Sequence, residues 1–408
     1  MKIFHRYAAL SSLLLMFFID FIGIGLVFPM FSAMLFRPDI SFLAPETSHM
    51  VRGLWLGFIL ALMPMVQFFS GPVLGTMSDR IGRKTLMLTS IAFGVFGYLI
   101  ALAAVWHENI ILLALSRVVI GIAGGNQAIG GAAVADISSP EEKAKHFGLL
   151  HMAAGLGFTI GPFLGGKLPT INLGIFSGYA APFVFAGLLS IINFLAVAFF
   201  FRETHRATRR QSTISFGFSN IKKAWVMPGF CWLFLAIFFY NLGWSFYWEF
   251  IPTHWIQSYR FDNATIGNMY AWGAIIYALS AGLLIRPIVA KFKTEKILFY
   301  ALILCALSIG LPLLLHPAWL YWLYIPLQQY LIALIFPATA ALVSNKSSDD
   351  IQGEMMGVLE SVQSLALIVG PLVAGGLLGI TVKMPMIVGA ASLLLAAYIL
   401  RRSWCSTY

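Results

Sequence analysis

Read along the chain, apolar residues come in runs too long for the interior of a water-soluble domain, separated by short breaks rich in charge, Pro or Gly. Runs of the ~17–25 residues needed to cross ~30 Å of hydrocarbon lie near 8–34, 54–75, 85–106, 109–135, 145–168 and 178–201. After a polar gap they resume near 226–256, 264–287, 296–315, 318–344, 353–378 and 383–402. The pattern predicts twelve transmembrane helices, because a segment in hydrocarbon must satisfy its backbone groups internally. The first run contains Asp20 and reaches Pro29 without a clear cleavage site, so it reads as a retained helix and not a signal peptide.

The gap falls near the middle of the chain, and the two sides of it repeat. Ser138-Ser139, Gly148, Gly161-Pro162 and Gly166 recur as Ser347-Ser348, Gly357, Gly370-Pro371 and Gly375, each 209 positions later. A tandem duplication follows. The expected architecture is an all-α integral membrane protein of two six-helix bundles related by pseudo-two-fold symmetry. Residues 1–201 form the N-terminal bundle, 202–225 a cytoplasmic linker and 226–408 the C-terminal bundle.

Composition excludes a soluble domain, since 60% of residues are apolar, only 10% are charged and the mean hydropathy is +0.86. The net charge of +10 then needs a reason. Assigning loops alternately to the two sides puts twenty of the 26 Lys and Arg residues on the side of the N-terminus and five on the other, which places both termini in the cytoplasm. Such charges flank helices and pair with anionic lipid headgroups, so no nucleic-acid partner is implied. Cys231, Cys305 and Cys405 are too scattered for a metal site or a disulfide framework. The chain has no P-loop, no nucleophile elbow and no cluster of metal ligands. No enzyme, cofactor or metal is therefore expected.

Between the second and third runs stands Gly75-Thr-Met-Ser-Asp79-Arg80-Ile-Gly82-Arg83-Lys84. Gly75 permits close helix approach, Asp79 can meet a basic side chain or a helix N-terminus, and the basic residues anchor the loop at the inner surface. The fifth run carries Gly157-Phe-Thr-Ile-Gly161-Pro162-Phe-Leu-Gly165-Gly166, spaced glycines for tight helix contact with a proline that bends the helix. The fourth carries Leu113-x-x-x-Arg117-x-x-x-Gly121, and the first Asp20-x-x-Gly23-x-Gly25-Leu26-x-x-Pro29.

Together these segments resemble the major facilitator superfamily, and within it the twelve-helix drug:proton antiporter branch of multidrug and tetracycline-type exporters. Ile120 stands where that family usually has glutamine, and Ser32 replaces a second proline. The resemblance implies that the Gly75–Lys84 loop is a conformational latch and that the Gly157–Gly166 motif marks an antiporter. The matching stretch of the second half, Gly282 to Lys293, lacks the acidic residue and second glycine, so any latch is asymmetric.

Counting at 1.5 Å per residue puts Asp20 roughly 20 Å and Arg117 roughly 18 Å from the inner surface. Charges at one depth in hydrocarbon are expected to face each other or a wet cavity. A contact that forms and breaks would let Asp20 take up and release a proton; a static ion pair fixing helix packing is the other reading. Further candidates for a substrate cavity are Glu249, Glu360 and its repeat counterpart His151. To these are added the aromatic and amide residues Asn241, Trp244, Tyr247, Trp248, Asn126, Gln127, Gln328 and Gln329. By the same count Glu249 falls near the outer mouth.

These features, with the resemblance, point to a proton-coupled secondary transporter in the inner membrane. It would export a small organic molecule, a drug-like compound or a secreted metabolite such as a metal chelator, by alternating access. Its partners would be the substrate, protons and membrane lipid, and it would act as a monomer. Import or facilitated diffusion on the same fold, and a sensor that no longer cycles, remain open.

Overall fold

Helices account for every regular element in the computed structural model, which describes residues 2–37, 42–204, 222, 224–226, 230–315, 317–347 and 351–405. In chain order they are α1 (Lys2–Phe36), α2 (His49–Ile81), α3 (Arg83–Trp106), α4 (Ile110–Gly124), α5 (Asn126–Ile137), α6 (Pro140–Lys167) and α7 (Ala180–Phe200). There follow α8 (Cys231–Trp248), α9 (Ile251–Tyr259), α10 (Asn263–Leu279), α11 (Arg286–Lys291), α12 (Thr294–Leu315), α13 (Tyr321–Lys346), α14 (Gln352–Leu377) and α15 (Met384–Cys405). The expected linker over 202–225 falls largely outside the described residues.

Ten helical stretches among the described residues are long and apolar enough to cross a membrane. The two remaining expected runs, 226–256 and 264–287, are each divided, and proline explains both. Pro252, in the first turn of α9, has no N–H for the carbonyl of Trp248 and its ring would crowd that carbonyl. So α8 stops at Trp248, and Glu249 and Phe250 form a joint. The released carbonyl accepts instead from the Tyr270 hydroxyl at 3.0 Å, as a buried backbone group requires. The eighth run widens into a π turn at Ser280–Leu284, where Ile285 N–H donates to Ser280 O at 3.2 Å just ahead of Pro287.

Contacts divide the chain into two compact units. Unit 1 is Met1–Met34, Asp39–Ala44 and Leu62–Phe216; unit 2 is Leu35–Pro38, Pro45–Ala61 and Gly217–Tyr408. In unit 1, α3 packs on α4 and α7, and Leu13, Met16, Met87, Ile129 and Val197 are fully enclosed. The α1–α6 seam is backbone against backbone. A Cβ at Gly157 would run into the carbonyl of Phe18, one at Gly161 into that of Ile22, and one at Gly165 into that of Leu26. Small residues bring membrane helices together in this way because lipid supplies no hydrophobic drive between them.

In unit 2, α8 packs on α14 and α15, α12 on α13 and α15, and α10 on α13. The first turns of α2 also belong here. Gly53 and Gly57 face the carbonyls of Gly375 and Pro371 in α14, and Arg52 Nη1 donates to Leu35 O at 2.6 Å.

Candidate functional site

Gly125 separates α4 from α5 and starts a new helix at Asn126. A Cβ there would meet Leu74 Cδ1 at 2.7 Å and Ser70 Oγ at 3.0 Å, so the joint lies in close contact with α2. From this joint the buried Asn126 donates through Nδ2 to Asp20 Oδ2 at 3.2 Å, and its own Oδ1 has no hydrogen-bond partner. The neighbouring Gln127 also keeps an unpartnered Nε2.

Arg117, only 2% exposed, does not pair with Asp20. Its Nη2 reaches Met63 Sδ at 2.9 Å and its guanidinium carbon lies 5.5 Å from the centre of the Phe31 ring, while Nε and Nη1 have no partner. The expected direct contact is thus corrected. The guanidinium extends toward Phe31, eleven residues past Asp20 and so about 16 Å further along α1. Between them stands Tyr98 of α3, buried and within electrostatic reach of both charges. Its hydroxyl occupies the space where a Cβ at position 23 would be, which accounts for Gly23.

The Gly75–Lys84 segment is tied down by its own Asp79 and by two acidic residues that the sequence reading did not single out, Asp136 and Glu203. Arg83 bonds Asp79 Oδ1 at 2.7 Å, Asp136 Oδ2 at 3.0 Å and the Ser78 hydroxyl. Glu203 accepts from the backbone N–H of Arg83 at 2.9 Å and of Lys84 at 3.0 Å, placing a carboxylate on the open N-terminus of α3. Lys84 Nζ donates to Ala198 O at 2.7 Å. Gly82 turns at φ 110°, and a Cβ there would sit 2.6 Å from the Glu203 carboxylate, so both conformation and space demand glycine. Gly75 faces Ala128 across ordinary contact distance, and Arg80 is exposed. Asp136 and Glu203 left one trace in the chain: each is an acid at the end of an apolar run, on the side that is otherwise basic.

In unit 2 the candidates divide sharply. Tyr247 donates to Gln328 Oε1, and Gln328 Nε2 donates to Ser308 O at 3.0 Å, a closed chain between α8, α13 and α12. Asn241 Nδ2 bonds Ile237 O of its own helix, while buried Gln329 keeps an unpartnered Nε2. Glu249 is 5% exposed and accepts from Ser245 Oγ at 2.7 Å. It ends α8 with the nine residues of α9 still to follow, so it lies at a joint within the run and not at its outer end. Trp244 stacks on Trp248 at 5.2 Å, and Tyr270 meets Trp248 edge-on at 4.6 Å. His254, fully buried, contacts Tyr321 Oη and Ser258 Oγ, each at 3.0 Å. His151 in unit 1 and Glu360 in unit 2 are both exposed. Among the described residues no group of three or more His, Cys, Asp or Glu side chains is arranged to hold a metal.

Comparison with known proteins now bears on this geometry. The family model of the Major Facilitator Superfamily matches residues 13–371. The class C tetracycline resistance protein of Escherichia coli is 30% identical over 401 residues, covering 94% of each chain. Major facilitator superfamily domain-containing protein 10 of Bos taurus is 28% identical, over 78% of this chain and 72% of that one. Among solved structures, the human organic anion transporter MFSD10 (TETRAN) superposes with a TM-score of 0.69 at 21% identity, covering 97% of this chain and 99% of that one. The D-xylose-proton symporter gives 0.75 at 14% identity, covering 98% and 97%. A membrane of many helices, the α1–α6 glycine seam and a family match across most of its length lead to one conclusion: the chain belongs to the Major Facilitator Superfamily, multi-pass membrane transporters of small molecules.

Proposed function

We propose that the protein is a proton-driven exporter of a small organic molecule in the cytoplasmic membrane, with both termini in the cytoplasm. The observation that carries this reading is the arrangement around Asp20. A carboxylate within a membrane helix is held by one amide, while a buried arginine further along the same bundle, with Tyr98 between them, has two unsatisfied donors. A carboxylate and a guanidinium that do not saturate each other are free to exchange partners. Asp20 can then carry a proton in one state of the cycle and be charged in the other. The glycine seam lets α1, which bears Asp20, stay locked to α6 as the bundle moves.

In this cycle the moving bodies are residues 1–201 and 226–408, joined by 202–225, and the Gly75–Lys84 latch sets which state is favoured. Alternating exposure of a site near the bilayer midplane couples inward proton movement to outward substrate movement. The names of the tetracycline resistance proteins support drug-like ring compounds as the class to try first, alongside secreted metabolites such as metal chelators. The chain would work as a monomer.

The test uses inside-out vesicles loaded with a pH-sensitive dye and energised before compounds are added. Proton release caused by a compound with the wild type and absent with Asp20→Asn is the expected result. A compound that equilibrates across the vesicle without moving protons overturns antiport and leaves facilitated diffusion.

A further inference from the structure

Asp20 and Arg117 start from one level of the bundle, since counting along their helices puts both about 18–20 Å from the inner surface, yet their charges do not meet. Asp20 is held by Asn126, while the guanidinium leans away, onto Met63 Sδ at 2.9 Å and toward the Phe31 ring. Opposite charges at one depth in hydrocarbon gain by pairing, and two donors of Arg117 have no acceptor. The separation therefore calls for a physical cause.

Tyr98 of α3 supplies it. On one side its Cβ lies 3.6 Å from where a Cβ at Gly187 of α7 would be. From there the side chain crosses to α1, and its hydroxyl fills the notch left by the missing side chain of Gly23, about one turn beyond Asp20. The buried ring thus bridges α7 and α1 through the interior of unit 1. The charged groups within electrostatic reach of it are Arg117 and Asp20. A larger residue at position 23 would push the hydroxyl out, so the glycine and the tyrosine fit as a pair.

We propose that Tyr98 is a positioning residue: its ring, seated against Gly23, holds the Arg117 guanidinium away from Asp20 and so keeps the carboxylate free to gain and lose a proton. A guanidinium in contact with Asp20 would keep it charged throughout a cycle, the static ion pair that only fixes helix packing. From the other helices, α5 brings the amide of Asn126 to Asp20, α6 brings Gly157 and Gly161 to the backbone on either side of it, and α2 brings Met63 to Arg117. Over Ala180–Phe200, α7 has no ionisable side chain. Arg117 is accordingly the charge whose approach would change Asp20 most. The inference rests on the exporter reading for the use made of the proton; the separation of the two charges belongs to the folded protein itself.

The first test is a double-mutant cycle on the purified full-length protein in detergent. Asp20→Asn and Arg117→Gln, alone and together, are compared by thermal midpoint in the wild-type, Tyr98→Ala and Tyr98→Phe backgrounds. In the wild type the two shifts should add, because the groups do not touch. In Tyr98→Ala the guanidinium reaches the carboxylate, and Asp20→Asn should lower the midpoint more with Arg117 present than with Arg117→Gln. Tyr98→Phe keeps the ring and should keep additivity. Shifts that add in all three backgrounds, or a coupling as large in the wild type as in Tyr98→Ala, overturn the proposal.

The second test does not depend on how well Tyr98→Ala folds. In Gly23→Ala the new Cβ meets the Tyr98 hydroxyl and displaces the ring, and the pH profile of substrate-driven proton release in inside-out vesicles should move toward acid by about one unit or more. Adding Tyr98→Phe removes the atom that Cβ meets and leaves the nearest ring carbon at 3.4 Å, so the double variant should return toward the wild-type profile. A profile unmoved in Gly23→Ala, or moved equally in the double variant, overturns the spacer. Absence of coupled flux in the wild type overturns the exporter reading instead and leaves the thermal cycle to decide on Tyr98.

Discussion

Asn126 Nδ2 donates to Asp20 Oδ2 at 3.2 Å, and that bond links the joint between α4 and α5 to the middle of α1. A hydrogen bond to a charged group contributes about 1.5–3 kcal/mol. If Asp20 is charged in the coupling cycle, Asn126→Ala should slow substrate-driven proton release about tenfold or more. Asn126→Gln, which can restore a donor, should recover part of the loss. Dye recovery in inside-out vesicles measures both, and wild-type rates in Asn126→Ala would rule out a coupling role for the bond.

Arg83 satisfies Asp79, Asp136 and Ser78 at once with a side chain that is 6% exposed. Removing one partner of a fully buried ion pair costs about 3–5 kcal/mol, and here, with Asp79 40% and Asp136 23% exposed, the cost is smaller. Arg83→Ala should therefore lower the thermal midpoint in detergent by much more than Arg80→Ala, whose side chain is at the surface. Arg83→Lys should fall between, because an ammonium cannot present the planar fork that meets two carboxylates. Equal midpoints for the two alanine variants would show that the cluster does not hold this loop.

Glu203 and Gly82 form a single device. Glu203→Ala leaves two N–H groups of α3 without an acceptor and should cost about 1 kcal/mol, as loss of a helix cap does. Gly82→Ala adds a Cβ at φ 110° and ψ 146°, a region essentially only glycine occupies, as well as displacing the carboxylate, so it should destabilise by about 1–3 kcal/mol from the backbone alone. In the Glu203→Ala background the clash is gone, and the additional effect of Gly82→Ala should shrink. Additive midpoint shifts would contradict the coupling between them.

How far these features were legible in the chain depended on distance along it. The glycines at 157, 161 and 165 declared a close helix contact because their spacing marks one helical face. The identity of the partner helix, α1, was not written in that spacing. Arg83 and Glu203 lie 120 positions apart, and Arg83 and Asp136 are separated by 53. Such pairings have no local pattern, which is why the Gly75–Lys84 motif with its Asp79 stood out in the chain and its distant partners Asp136 and Glu203 did not. Depth counting set Asp20 against Arg117, but it cannot see which way a long side chain leans, and the guanidinium leans toward Phe31. The division of the seventh run was encoded at Pro252, overlooked because the apolar run continues through it.

The glycine seam makes a contrast possible within one helix. Gly161→Ala forces a Cβ against the carbonyl of Ile22, whereas a Cβ at Gly148, more than three turns earlier in α6, meets nothing within 4 Å. Overpacking of this kind costs about 1–3 kcal/mol, and alanine in place of an unhindered helical glycine is favourable by up to about 1 kcal/mol. The two substitutions should shift the thermal midpoint in opposite directions, with transport lost only in the first.

Tyr270 and Pro252 offer a sharper test, because one supplies what the other withholds. The hydroxyl of Tyr270 fills the place of the N–H that Pro252 lacks, donating to Trp248 O at 3.0 Å. Tyr270→Phe leaves a buried carbonyl unsatisfied and should destabilise by about 1–3 kcal/mol. Pro252→Ala restores an amide donor, and in combination with Tyr270→Phe it should return part of that loss by letting α8 continue into α9. The double variant should then be more stable than Tyr270→Phe alone, with a coupling energy read from the four thermal midpoints of the cycle. If Pro252→Ala instead adds to the damage, the joint at Glu249 is held by packing and not by the missing hydrogen bond, and the account of why the seventh run divides must be abandoned.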